Sequence, residues 1–587
     1  MRVVAAGLNI DGDALRELRE AAARLRGHLG RDEAPPPDLL AHLAAFADRE
    51  DLTPETLSAA YARISRDPRP VDALRRDARA SVAKARRSNE TIVFGLGHAS
   101  VAEHAVFNVD VLGLSRLAAE FVEHYRLASF TEKSQRYVTL RGDFVVPAEV
   151  TGTALEVDFR EIVRRQTELY LRLYEALKPR FEAEHPDMAA RADGRRTLDG
   201  WAKEDARYAL SLAVETQLGM TVNARTVERM VRDAAGHPLA EVRAFGEALL
   251  GALHPHAPSL IRYTRPGPCQ AEGLPALRAA AAEQFRRFLS SPAAATPESH
   301  SPSQPAQAEP GRADATRFSP AGSLACSVPP SREDPFECRI VGLQGSEADV
   351  FAALAFASAA APCPPPPVVL PPSPREPHDS PPSHSSHDSH NSHNSHDSPL
   401  FTRFSEALAW AETLDDPAKT GLLRPLVRTM EPWDAPPRAF EHAGAAVECT
   451  VSASCFAQLK RHRMGSLLCR PYEPALGFTV PPSVEGAGLR DDLLAVARLA
   501  EETAGRIAER HPEAAAYLLA NGHRRRLVFS ANLREWHHFM RLRLDAHAQW
   551  EIRDLAGRIA ALLRGPFPVL ARLFAGKDRW PAVRDRF

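Results

Sequence analysis

The sequence predicts two tandem copies of one mixed α/β (α+β) domain, each a mixed sheet with long helices. Three observations predict it: an internal repeat, a switch between period-two and helical hydrophobic patterns inside each repeat, and two low-complexity stretches that no core can include. The repeat shows first in EHAVFNVDVLGLSRLAAEFVEHYRLAS from Glu103 and EHAGAAVECTVSASCFAQLKRHRMGS from Glu441, which align with a one-residue gap. It shows again in TVNARTVERMVRDAAGHPLAEVRAFGEALL from Thr221 and SANLREWHHFMRLRLDAHAQWEIRDLAGRIAALL from Ser530. The spacing between copies drifts from 338 to 309 residues while the order of elements is kept, as duplication followed by divergence would leave it.

Taken in chain order, Val106–Leu112 alternates as a half-buried strand. A helix from about Leu114 to His124 follows, with Leu117 and Phe121 on its apolar face. Leu155–Glu184 and Asp491–Arg510 carry helical periodicity with charged faces, and the closing repeats read as amphipathic helices of about twenty residues. The expected boundaries are a first domain over 1–265, a disordered Pro/Ser/Ala-rich linker over 266–335, and a second domain over 336–587.

A second low-complexity segment, 361–399, interrupts the second domain. Its large apolar residues are too few to offset the entropy of ordering a backbone. Within it His384, His387, His390, His393 and His396 recur every three residues. Imidazoles on a flexible chain can converge on a transition metal, but nothing nearby supplies fixed supporting groups, and an expanded polar loop is the plainer reading.

Composition narrows the function classes. With 73 Lys and Arg against 75 Asp and Glu, no overall basic field favours nucleic acid or a membrane, so an anionic ligand must be held by local arginines. The seven cysteines include no CxxC pair, which argues against a disulfide framework or a zinc site, and no metal is expected. There is no leader-like N-terminus and no apolar run of eighteen residues, so a soluble cytoplasmic protein is expected.

Two short segments carry candidate chemistry. In HYRLASFTEKSQRY, Glu132, Ser134 and Arg136 alternate, so an extended loop would present a carboxylate, a hydroxyl and a guanidinium on one side. That set suits a phosphorylated ligand bearing an imide, with Arg as the bidentate phosphate fork. A surface turn with ordinary ion pairs is the competing reading. In the second copy Arg461, His462 and Arg463 follow QLK at the end of a helix, where a solvated basic cap favoured by the macrodipole competes with a binding role. Ser134 has no His and Asp pair placed to activate it, so it reads as a binding group and no nucleophile is assigned.

The strings GHASVAEH (Gly97–His104), ASFTEKSQRY (Ala128–Tyr137), QLKRHR (Gln458–Arg463) and NLREWHHFMRLRLDAHAQWEI (Asn532–Ile552) resemble the recurring signatures of the flavin-dependent thymidylate synthases. AAYARIS (Ala59–Ser65) adds to them, and the resemblance covers both copies outside the low-complexity stretches. It implies reductive methylation of dUMP to dTMP, with FAD as cofactor, NADPH as reductant and methylenetetrahydrofolate as carbon donor. It also implies a tetrameric site architecture in which loops from different chains share each substrate.

Against that pattern the two copies depart in opposite places. The first has His124, Tyr125 and Arg126 where Arg-His-Arg belongs and Phe121 where a glutamine is expected, yet it keeps Glu132, Ser134, Gln135, Arg136 and Arg207. The second has Cys469, Pro471 and Glu473 in place of the carboxylate, serine and arginine, and Ala516 in place of Arg207. It keeps Gln458, Arg461, His462, Arg463, Asn532, Arg534, His538, Arg543, His547 and Gln549.

Complementary losses imply one live site per pairing of a first with a second copy, and a chain homodimer imitating the family's tetramer. In that site the resemblance puts Glu132, Ser134, Gln135, Arg136, Arg207, Gln458, Arg461 and Arg543 on dUMP. Ser65, Ser100, Arg461, His462, Arg463, Asn532, Arg534, His538 and His547 fall on the FAD side. Arg543, Ser134 and His98 stand nearest the reacting centre, Arg543 polarising a uracil carbonyl as negative charge develops on the ring. A structural role for His98 competes. The rival readings are a noncatalytic flavin- or nucleotide-binding protein and an interaction scaffold.

Overall fold

The computed structural model describes residues 1–31, 34–46, 49–290, 337–358 and 403–587. The His-rich tract and most of the expected linker lie outside them. Within the linker's described part, Leu274–Leu289 forms a helix. The chain divides into two compact units. One comprises the described residues of Met1–Ser319 with Val451–Arg463 and Arg470–Arg525; the other comprises those of Pro320–Thr450 with Met464–Cys469 and Arg526–Phe587. The first unit therefore contains helices from both sequence copies.

Its sheet takes β1 (Arg2–Leu8), β2 (Val106–Ser115), β3 (Ala128–Glu132) and β4 (Glu215–Asn223) in the order β1-β2-β4-β3. All three pairings are antiparallel, so the expected mixture holds for helix and sheet but not for strand direction. One face of β2 and β4 buries Phe107, Val109, Val111, Leu218, Met220 and Val222. In the same core lie Met230 and Val231 of helix Ala224–Ala235 and Phe245 and Leu249 of helix Ala240–Leu253. Gly113 marks the irregularity in β2: its φ is 73°, and a Cβ there would lie 3.2 Å from the Cα of Met1.

The helix expected over 114–124 is shorter, Arg116–Val122, because β2 runs to Ser115 and the Ser115 hydroxyl caps the helix by accepting from Ala118 N at 3.0 Å. The closing helices also fall short of twenty residues. Thr221–Asn223 completes β4, and Asn223 then caps the helix by accepting from Thr226 N at 2.9 Å. Long helix Glu156–Glu184 has the expected extent, as does its second-copy counterpart Arg490–Ala508. The two are tied by Arg172–Asp492 at 2.7 Å and Arg506–Asp158 at 2.8 Å, pairings that run antiparallel.

In the second repeat β5 (Cys338–Gln344), β6 (Gly444–Ser452), β7 (Ser466–Tyr472) and β8 (Arg524–Asn532) form the sheet β5-β6-β8-β7. Helices Leu533–Arg543 and Trp550–Leu563 follow. Trp536, Phe539 and Phe529 meet edge to face in the core of the second unit. Among the described residues no helix is long and apolar enough to cross a membrane.

Candidate functional site

Strand β3 delivers Glu132 into the interior, where its carboxylate meets the guanidinium of Arg116 and accepts from the Thr216 hydroxyl at 3.0 Å. Arg116 is a cation at a core-facing position of helix Arg116–Val122, and the 3.8 Å approach of Arg461 Nη2 to Glu132 Oε2 brings in a second-copy arginine. Burial pushes the Glu132 pKa up, but Arg116 above all, with Lys460 and Arg461, outweighs it and holds the carboxyl well below the ordinary range. Glu132 is thus an ionised, fixed acceptor.

The backbone does not stay extended beyond Lys133. Residues 135–137 turn, and Arg136 N donates to Ser134 Oγ at 3.2 Å. The expected one-sided row of Glu132, Ser134 and Arg136 is therefore replaced by a strand end and a turn. The turn sends Arg136 to Glu204, on helix Ala192–Ala206, at 2.9 Å and buries Gln135. Asn521, from the second copy, donates through Nδ2 to Gln135 Oε1 at 3.1 Å and to Arg207 O at 3.0 Å.

Arg207 is 5% exposed, and its Nε and Nη2 find no hydrogen-bond partner among the described residues. Burial lowers its pKa, Glu204 opposes that, and Arg136 and Arg116 add repulsion. Arg116 and Arg136 bear on it; Arg116 faces Glu132 with Glu123 and Glu120 nearby, Arg136 pairs with Glu204, Lys460 pairs with Glu123, and Arg461 approaches Glu132. A buried guanidinium with two donor atoms unused, beside Arg136 and Arg116, can chemically accept an anion with several oxygens, such as a phosphate.

The QLKRHR segment closes helix Ala453–Leu459. Gln458 and His462 are buried, and Arg461 is half exposed while its Nε donates to Ala457 O at 3.3 Å. One guanidinium edge of Arg461 serves the helix end, as the capping reading expects, and another faces Glu132.

Within the first unit, Glu120 of helix Arg116–Val122 meets Tyr472 and Arg525. Tyr472 OH donates to Glu120 Oε1 at 2.6 Å, and Arg525 donates to Glu120 Oε2 at 2.8 Å. The Arg525 guanidinium lies 4.3 Å from the Tyr472 ring centroid and 4.5 Å from that of Phe456. Here Arg525 and Glu120 match in charge, with the Tyr472 and Phe456 rings against the guanidinium.

The remaining expected residues are placed as follows. Ser65, His98 and Ser100 are exposed, Ser65 in a turn after helix Pro54–Arg63 and the other two at the start of a short helix, Ala99–His104. On the second unit Asn532 caps helix Leu533–Arg543, accepting from Glu535 N at 2.9 Å, as its counterpart Asn223 does in the first copy. Gln549 caps Trp550–Leu563 through Glu551 N and Ile552 N. Arg534 donates to Pro436 O at 2.8 Å and pairs with Glu441 at 3.2 Å. His538 Nδ1 lies 3.1 Å from Arg541 Nη2. His547 meets Asp545 at 2.8 Å with its ring largely exposed, and Arg543 ends its helix half-buried. Sequence reasoning missed Arg116, Glu204, Lys460 and Asn521; an arginine one residue past a Ser cap, in an otherwise apolar segment, was the available signal for the first.

The family model described as thymidylate synthase complementing protein matches residues 49–259 and 390–569, more than half of the chain and one region in each copy. A flavin-dependent thymidylate synthase of Geobacter sulfurreducens is 33% identical over 247 residues, covering 40% of this chain and 95% of that protein. Another, of Clostridium tetani, is 27% identical over 216 residues, covering 36% and 83%. Among solved structures, the UMP/dUMP methylase PolB of Streptomyces cacaoi bound with 5-Br dUMP aligns with a TM-score of 0.30 and 18% identity, over 41% of this chain and 96% of that one.

Proposed function

Because the chain belongs to the flavin-dependent thymidylate synthase family, in tandem form, we propose that it methylates dUMP to dTMP at a composite site to which the two copies contribute different halves. One observation carries the reading: Arg207 is buried with two unused donors beside Arg136 and Arg116, and its backbone carbonyl accepts from Asn521 of the second copy. A guanidinium kept dry and unsatisfied costs stability, and a phosphate in its plane offsets that cost.

Arg207 and Arg136 take the dUMP phosphate, with Ser134, Gln135 and Gln458 as uncharged partners. Glu132, held ionised by Arg116, fixes the Arg461 guanidinium against the substrate. Arg543 stabilises negative charge on the uracil ring, and His98, exposed beside Ser100, has the freedom to meet a bound ligand.

FAD fits the donor types present: Arg461 and His547 keep solvent-facing edges suited to a pyrophosphate, whereas Asn532 and Arg534 serve mainly by holding the local backbone. When bound, the flavin supplies the redox chemistry that these side chains cannot. Ser65, Ser100, His462, Arg463 and His538 complete the proposed flavin side. NADPH as reductant, methylenetetrahydrofolate as carbon donor, a chain homodimer and a cytoplasmic location complete the reading.

The test is the visible spectrum of the purified protein, then anaerobic NADPH with and without dUMP in the same cuvette. Flavin bands that bleach faster with dUMP, followed by dTMP formation on adding methylenetetrahydrofolate, are the expected result. A colourless protein that takes up no FAD would overturn the reading in favour of a noncatalytic nucleotide-binding protein.

A further inference from the structure

Glu123 and Lys460 occupy the same position in the two copies. Ser115 and Ser452 are the matching helix caps, each accepting a hydrogen bond from the amide three residues on at 3.0 Å, and Glu123 and Lys460 are the matching C-caps eight residues later. The two side chains meet, Lys460 Nζ to Glu123 Oε2 at 2.8 Å, with 5% and 6% of their side-chain surface exposed. A residue that touches its own counterpart lies on the local twofold relation between copies, as in any isologous interface. In a pairing of two identical copies that position would oppose Glu to Glu or Lys to Lys, buried and uncompensated.

We infer that the Glu123–Lys460 pair is a specificity device of the copy-to-copy interface: it makes first-with-second pairing the only arrangement with matched charge, and penalises first-with-first and second-with-second. A symmetric homodimer cannot carry such a pair, so it became available only after duplication. The remaining Glu123 neighbourhood keeps the signs unambiguous. Glu123 bears on Arg116 together with Glu132 and Glu120, and Lys460 bears on Glu132. A lysine at 123 would therefore meet Arg116 and Lys460 together, and a glutamate at 460 would meet Glu123 and Glu132. The inference rests on the tandem arrangement and is independent of the proposed chemistry.

The experiment uses the full chain with a protease site placed between residues 291 and 336, cleaved after folding. The nicked protein is held in sub-denaturing urea so that copies can exchange, then weighed by native mass spectrometry. Wild type and the swapped variant E123K/K460E are expected to give only complexes with equal numbers of the two fragments. The apolar variant E123L/K460L is expected to melt at or above the wild-type midpoint yet to give complexes with unequal numbers, because burial of apolar groups replaces the pair without its selectivity. Should it fail to fold, E123Q/K460Q reads the same point. E123K alone is expected to melt below E123Q, since a like charge is worse than none. Strictly equal complexes in the apolar or amide variant, or unequal ones in the swapped variant, would overturn the inference. Loss of dTMP formation in any of these variants bears on the active site, because Lys460 also acts on Glu132; the fragment ratio bears on pairing alone.

Discussion

Ser211 and Ala520 form an isolated antiparallel bridge, and each is the other's counterpart, 309 residues apart in the repeat. The bonds around them are reciprocal. Leu212 N donates to Leu519 O and Asn521 N to Leu210 O, both at 2.8 Å; Ala213 N donates to Tyr517 O and Gly522 N to Tyr208 O, both at 3.0 Å. A short two-stranded ribbon of one chain thus joins the copies across a local twofold relation. It leads on one side into Arg207 and on the other into Asn521, so the geometry that unites the copies also builds the candidate site.

Asn521 tests that connection. Its buried amide satisfies both Gln135 Oε1 and Arg207 O, and Asn521→Ala leaves two buried acceptors short of a donor. The expected cost is about 1–3 kcal/mol in folding stability, read as a lower denaturant midpoint at unchanged slope. A higher KM for dUMP with a smaller change in kcat is expected as well, since Asn521 holds the backbone of Arg207, the proposed phosphate ligand.

Arg207 should show the opposite balance of stability and function. Its buried guanidinium carries unused donors, so Arg207→Met removes a desolvated charge and fills the same space with apolar atoms. Differential scanning fluorimetry without ligand should find the variant melting at or above the wild-type midpoint. The rise in midpoint expected for the wild type on adding dUMP should be absent.

Much of this was legible in the sequence, in proportion to how local the determinants are. The repeat, long helix Glu156–Glu184 and strand β2 follow from periodicity that neighbouring residues impose on one another. Helix Arg116–Val122 came out shorter because the cap at Ser115 outweighs apolar residues on either side of it. The turn at 135–137 was misread as extended, since alternation along three residues carries no information about the backbone that joins them. Arg116, Glu204 and Asn521 escaped notice for a different reason. Their partners lie 16 to 386 residues away, and only the tertiary fold makes them members of one cluster.

The pairing of Arg116 with Glu132 predicts an acid response. Glu132 is held below its ordinary value of 4.5, to about 2, despite burial. A depressed carboxylate stabilises the fold above its unfolded-state pKa, and this contribution is lost as the pH falls from about 4.5 toward 2. In Arg116→Met burial prevails, the Glu132 pKa rises, and the loss begins at higher pH. Circular dichroism between roughly pH 2 and 7 should place the acid-unfolding midpoint of the variant above that of the wild type, with the shift abolished in Arg116→Met/Glu132→Gln.

The proposed division of labour between copies predicts complementation. Arg136 belongs to the first copy, where Glu204 orients its guanidinium at 2.9 Å, and Arg543 belongs to the second, at the end of helix Leu533–Arg543. Arg136→Ala and Arg543→Ala should each lower kcat/KM for dUMP by about a hundredfold or more, the scale for removing one preorganised charged donor. The two variants are folded alike but defective in different halves, so a mixture reports where the halves meet. Activity that returns on mixing, after exchange in mild urea, requires a site shared between chains. A mixture as inactive as its components, from variants that both still bind FAD, requires that each site draw both arginines from one chain. Full activity in either single variant would overturn the composite site itself.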